Sequence, residues 1–309
     1  MKKVFKTIGL IVLIILVIGL LAIKFFANRP AAPDNYQQTV STEGRIEQKY
    51  MKNGPYEVAL REDPVLQSFK KFIVYYPSNL EEENKKFPVI VLCNGSGTPL
   101  TKYPAVAKHL ASWGFIVIGT EENYSWNGFG AEMSLRYLKR LNENEKIEEK
   151  PSEFYQKVDF DHVGIVGHSQ GGVGVINAIT DTDHKNIYKA AVALSPTNKE
   201  LAHNLLWDYD ASLIDIPILL LSGAGGQDDW VVTKEQLQAI YNDIPSDKFM
   251  ARRVDTAHNE MLYSADGYVV AWFMWLLQDD EEAAKAFIGN DPELFVNKLY
   301  QDQSSLMKE

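Results

Sequence analysis

The spacing of apolar and polar residues changes character along the chain. Lys2, Lys3 and Lys6 precede a continuous apolar run from Ile8 to Ile23, which Lys24, Phe25 and Phe26 close. A signal-peptide core is about 7–15 residues long and ends at a small-x-small site. A membrane-spanning helix needs about 17–25 apolar residues. The run is long for the first, and Ala27 with Pro30 and Ala31 makes a poor cleavage site. Thr7 to Phe26 fits the second if Lys24 snorkels to the interface. Residues 1–28 are therefore expected to be an uncleaved signal anchor, one transmembrane helix with basic residues inside and the rest of the chain outside the cell membrane. Secretion after cleavage is the alternative. No cysteine stands directly after the run, which excludes a lipoprotein anchor. Residues 29–54 are polar, with Pro30, Pro33 and a Gln/Thr/Ser run, and read as an extracytoplasmic linker.

From residue 55 to 309 the pattern is that of one folded domain. Pro55–Leu60 and Phe69–Tyr76 read as a first strand pair. Pro88–Cys93, Phe115–Gly119, the run ending at Gly167, Ala190–Leu194, Ile216–Leu221 and Phe249–Val254 are apolar without alternation, as in strands buried on both faces. Helices are expected between them over 103–113, 131–141, 173–179 and 232–240, and then over 264–277, 281–288 and 292–300. Asn142–Pro151 is highly charged and reads as solvated surface. Strands alternating with helices predict an α/β fold, with a mostly parallel central sheet covered by helices on both faces. Ligands of such sheets sit beyond the carboxyl ends of the strands. The loops expected there are Asn94–Thr98, the turn at Ser169, Gly223–Asp229 and Asp255–His258.

The turn at Ser169 carries the clearest chemistry. Gly167-His168-Ser169-Gln170-Gly171-Gly172 places G-x-S-x-G between a buried strand and a helix, the setting of a nucleophile elbow. A serine hydroxyl needs a base within hydrogen-bond reach. Of the six histidines, His168 diverges from its neighbour at such a turn and is expected to pack beside it. His109, His162, His184 and His203 fall on helices, connections or the start of the elbow strand. His258 follows a strand at its carboxyl end and is the expected base. The base needs a carboxylate. Asp228 is preferred, with Asp229 the competitor and Asp255 third. A tetrahedral intermediate needs two donors for its oxyanion. The N–H groups of Gln170 and of Ser96 are expected to supply them, with Gly97 the alternative to Ser96.

Composition removes several function classes. The net charge of −10 over 309 residues speaks against a nucleic-acid partner. The single cysteine, Cys93, allows no intrachain disulfide. No Cys/His cluster has zinc-ligand spacing, and neither metal nor cofactor is expected.

The chain resembles the α/β-hydrolase superfamily over nearly all of Pro55–Tyr300. Within it, the chain is similar to chlorophyllase-like, dienelactone-hydrolase-like and polyethylene-terephthalate-hydrolase-like (cutinase-type) serine esterases. The resemblance rests on Val89–Gly97, Leu110–Phe115, Gly167–Gly172 and the closing stretch from Ala271 to Phe287. By position, Ser96 matches the first oxyanion donor of these enzymes. Asp228 matches their acid, four residues before Val232, where they often carry proline. Asn94-Gly95-Ser96 departs from the His-Gly of many relatives. The short connection between Ser195 and Ile216 implies that there is no large lid and that the cleft is open, with Tyr124, Trp126, Phe129, Trp207, Tyr209 and Trp230 as candidate walls. The resemblance implies a Ser169–Asp228–His258 triad acting through an acyl-enzyme on a small or polymeric carboxylic ester, with short acyl groups expected. A serine peptidase or amidase on the same fold is one alternative, and a surface binding protein without turnover is another.

Overall fold

The computed structural model of the protein describes residues 29–64, 70–147 and 150–308. The strands in chain order are β1 (Val58–Pro64), β2 (Lys71–Pro77), β3 (Phe87–Cys93), β4 (Ile116–Thr120), the short hairpin β5 (Lys146–Ile147) and β6 (Lys150–Pro151), then β7 (Val158–His168), β8 (Tyr188–Leu194), β9 (Ile218–Ala224), β10 (Lys248–Val254) and β11 (Tyr300–Leu306). Nine of them form one sheet in the order β1-β2-β4-β3-β7-β8-β9-β10-β11. The six central strands run parallel. At the edges the pairings are antiparallel, β1 with β2, β2 with β4 and β11 with β10, so that β2 and β11 run against the central strands.

The helices are α1 (Tyr36–Thr39), α2 (Arg45–Tyr50), α3 (Pro104–Ser112), α4 (Phe129–Glu143), α5 (Gln170–Asp181), α6 (Lys199–Asn204), α7 (Lys234–Asp243), α8 (Asp266–Gln278), α9 (Glu281–Ala284) and α10 (Glu293–Val296). The period-2 geometry of a strand sends successive side chains to opposite faces. Ile90 and Leu92 of β3 therefore pack with α3 and α8 on one side, and Val89, Val91 and Cys93 pack with α4, α5 and α7 on the other. Both faces are apolar because both are covered, which explains the unbroken hydrophobic runs. Between β8 and β9 stand only α6 and the turn Ala211–Leu213.

Two expectations need correction, and one lies out of reach. Residues 29–54, expected as a linker, are folded onto the α3/α8 face. Tyr36 and Tyr50 are fully buried there. The Tyr36 hydroxyl bonds Asp266, and Tyr50 donates to Asp280 at 2.6 Å. Glu47 is buried in an ion pair with Arg253 at 3.0 Å. Ala31 N–H donates to the Lys102 carbonyl at 2.6 Å, and the Lys102 ammonium reaches the Gly97 carbonyl at 3.1 Å. Polar composition hid this packing because the charges are spent on buried partners rather than on water. The helix expected over 292–300 ends at Val296, and Tyr300 begins the edge strand β11. The expected transmembrane helix, residues 1–28, lies outside the described residues, among which no helix is long and apolar enough to cross a membrane.

Candidate active site

Strand β7 ends at His168, and α5 begins at Gln170, so Ser169 alone makes the turn. Its backbone has φ 60° and ψ −121°, a conformation that costs a non-glycine residue about 1–3 kcal/mol. The turn closes only because its neighbours lack side chains. A Cβ on Gly167 would stand 2.2 Å from the Gly171 carbonyl oxygen, and one on Gly171 would stand 2.1 Å from that of Cys93. The Ser169 N–H donates to the Leu194 carbonyl at 2.9 Å, tying the turn to β8.

Two loops at the same edge of the sheet meet this serine. His258 follows β10, and its Nε2 lies 2.9 Å from Ser169 Oγ. Its Nδ1 lies 2.6 Å from Asp228 Oδ1. Asp228 follows β9, opens the turn Asp228–Trp230 and is fully buried. A carboxylate only accepts, so Nδ1 carries the imidazole proton and Nε2 presents a lone pair to the hydroxyl. The second carboxylate oxygen of Asp228 accepts from the Gly223 N–H and from Ser195 Oγ at 2.9 Å. Asp229 points elsewhere, into an ion pair with Arg252 at 2.6 Å. Asp255 is exposed, with φ 49°.

The loop after β3 lies against the elbow, where a Cβ on Gly95 would stand 3.8 Å from Ser169 Cβ. Buried Asn94 fixes it. Its amide donates to the carbonyls of Thr120 and Glu122, each at 2.8 Å, and its oxygen accepts from Tyr103 at 2.6 Å. The Gly97 N–H is taken by the Asn123 carbonyl at 2.9 Å. Gln170 heads α5, where the first N–H groups have no intrahelical acceptor. Its side chain is buried and accepts from the Ser125 N–H at 3.0 Å.

His168 packs behind His258, with ring centroids 4.6 Å apart. Burial, and then the His258 charge, push its imidazole down to about 3. The Cys93 thiol is pushed up to about 12 by burial, which keeps it inert. Among the candidate walls, Trp230 and Tyr124 are the most exposed, at 82% and 63%, followed by Phe129. Trp126, Trp207 and Tyr209 are half-buried. Tyr209 donates to the Thr197 carbonyl at 3.0 Å and packs into the core near α7, so it is a structural residue. Sequence reasoning missed Ser195, whose φ of 41° and complete burial beside Asp228 have no local signature.

The model of the PETase family, described as PET hydrolase-like, matches residues 36–305. No curated protein matches the chain. The match covers most of the sequence, and the chain belongs to the PET hydrolase-like family.

Proposed function

We propose that this PET hydrolase-like chain is a serine esterase that cleaves carboxylic esters through an acyl-enzyme on Ser169. Family membership supports ester hydrolysis. The observation that carries the finer reading is the unbroken hydrogen-bond chain Ser169–His258–Asp228 beyond the carboxyl ends of the parallel strands. Ser169 Oγ attacks the acyl carbon while His258 Nε2 takes its proton. Asp228 holds the opposite ring nitrogen and stabilises the imidazolium. The carbonyl oxygen becomes an oxyanion that accepts from the N–H groups of Ser96 and Gln170. The alkoxy group leaves with the proton from His258. Water then gives a proton to the same nitrogen, attacks the acyl carbon and releases the carboxylic acid, which restores the serine.

The short connection between β8 and β9 supports an open cleft and short acyl groups. The lysine-flanked apolar run of residues 8–23 supports a place at the membrane with the domain outside, which cell fractionation with protease shaving tests directly. For the chemistry, a fluorophosphonate probe should label Ser169. Ser169→Ala should keep the melting transition and lose hydrolysis of p-nitrophenyl butyrate. Wild-type turnover in that variant would remove the reading.

A further inference from the structure

His168 has no role in the scheme above, yet it is buried one residue from the nucleophile and faces the base. Its Nε2 lies 2.7 Å from the backbone carbonyl of His258. A carbonyl only accepts, so Nε2 carries the proton and donates. The bond runs from the tightly packed elbow turn to the segment that carries the base. That segment, Asp255 to Leu262, is also held by Asp228 on the ring side, by the Gly225 N–H on the Thr256 carbonyl at 3.2 Å, by buried Met261 and by short-range turns of its own, but the His168 bond is the one made to the backbone of the base itself.

We propose that His168 is a positioning residue for His258, gripping its backbone carbonyl and backing its ring so that Nε2 stays aimed at Ser169. The proposal rests on the triad reading given above. It differs from plain packing in one respect: a bulky apolar side chain would back the ring and leave the carbonyl without its donor. Burial keeps His168 neutral across the working pH range, so the donor persists and no second positive charge stands behind the imidazolium. The titratable and charged groups beside His258 are His168 behind its ring, Asp228 on Nδ1 and, two residues on, the Glu260 carboxylate that accepts from the Ala257 N–H at 3.0 Å.

The tests compare three chains. His168→Phe keeps a ring and removes the donor. His168→Gln returns a donor without the ring. Ser169→Ala reports on the triad itself. A displacement on the order of 1 Å at a catalytic group costs up to about a hundredfold in rate. His168→Phe should therefore lower kcat about ten- to a hundredfold with KM within about twofold. The acid limb of its kcat/KM profile should move to lower pH, because a loosened His258 shares its proton less well with Asp228. His168→Gln should recover part of kcat and of that limb. In the wild-type protein, ring nitrogen-15 shifts should show His168 protonated at Nε2 alone between about pH 5 and 9. A His168→Phe enzyme with unchanged kcat and pH profile overturns the proposal, and so does a His168 ring that titrates in that range or carries its proton on Nδ1. If Ser169→Ala stays active, the triad reading has failed instead. If only the His168 chains behave as wild type, the triad stands and the positioning role falls.

Discussion

Replacing Asp228 by Asn tests the direction of each hydrogen bond in the site. The Asp228 oxygen Oδ2 already accepts from two donors, the Gly223 N–H and Ser195 Oγ. An amide NH2 in that place would meet an N–H head-on. The Asn oxygen must therefore take the Oδ2 position, and its NH2 must take the Oδ1 position, 2.6 Å from His258 Nδ1. Nδ1 then has to accept, and the ring proton moves to Nε2. That nitrogen lies 2.9 Å from Ser169 Oγ and can no longer take its proton. Removing the acid's charge and fixing the wrong tautomer costs on the order of 10⁴ in kcat, about 5 kcal/mol of barrier. Folding should survive, because shape and two hydrogen bonds are kept. The control is Asp229→Asn: this half-exposed carboxylate pairs with buried Arg252, which keeps the Gly223 carbonyl at 3.2 Å and Asp302 at 3.7 Å as partners, so the change should leave kcat within about twofold. Hydrolysis of p-nitrophenyl butyrate by both variants, beside their thermal melts, makes the comparison. An Asp228→Asn enzyme within tenfold of wild type, or a severe loss in Asp229→Asn, would refute the reasoning.

Other outcomes follow from the same contacts. Gly171→Ala drives a methyl group into the Cys93 carbonyl, and should yield no cooperatively melting protein. Glu47→Ala leaves Arg253 charged and buried, which should cost about 3–5 kcal/mol, read as a lower urea midpoint. A chain beginning at residue 29 should melt in one transition, whereas one beginning at residue 55 should not, because Tyr36, Glu47 and Tyr50 go with the missing piece. His168 contributes a pH dependence of stability. Its folded pKa lies near 3, below the ordinary 6.5, so the unfolded chain binds the extra proton as pH falls. The contribution is whole above pH 6.5 and is lost toward pH 3 at up to about 1.4 kcal/mol per unit. Urea midpoints of wild type and His168→Phe should converge in slope above pH 7 and separate below 6.

The parts of the fold legible in the sequence are those whose constraints are local. An unbroken run of β-branched and apolar residues such as Val89–Leu92, bounded by Pro88 and the glycines of the next loop, suits a strand covered on both faces, and the glycine at 167 is demanded by the Gly171 carbonyl within the same turn. Legibility fails where partners are remote. Glu47 looks like surface until Arg253, some two hundred residues away, is brought to it. Choosing between Asp228 and Asp229 depends on Arg252, which claims the second carboxylate. Tyr300–Leu306 lacks strand character because an edge strand paired on one side tolerates Gln, Asp and Ser. Ser195 is one more polar residue at a strand end until Asp228 lies beneath it.

The bond from Ala31 to Lys102, and from the Lys102 ammonium to Gly97, also fixes where the chain leaves the domain. Gly97 adjoins Ser96, so the first described residues are tied through Lys102 to the loop after β3, and whatever precedes residue 29 is joined to the domain there. A body joined to that upstream chain cannot stray: each intervening residue adds at most about 3.6 Å of reach. Ten residues would confine it to within about 36 Å of the first described residue. If an anchor or any other body stands upstream, it holds the domain by the residues tied to the loop after β3, and lengthening the segment between them would widen the domain's reach without altering an atom of its chemistry.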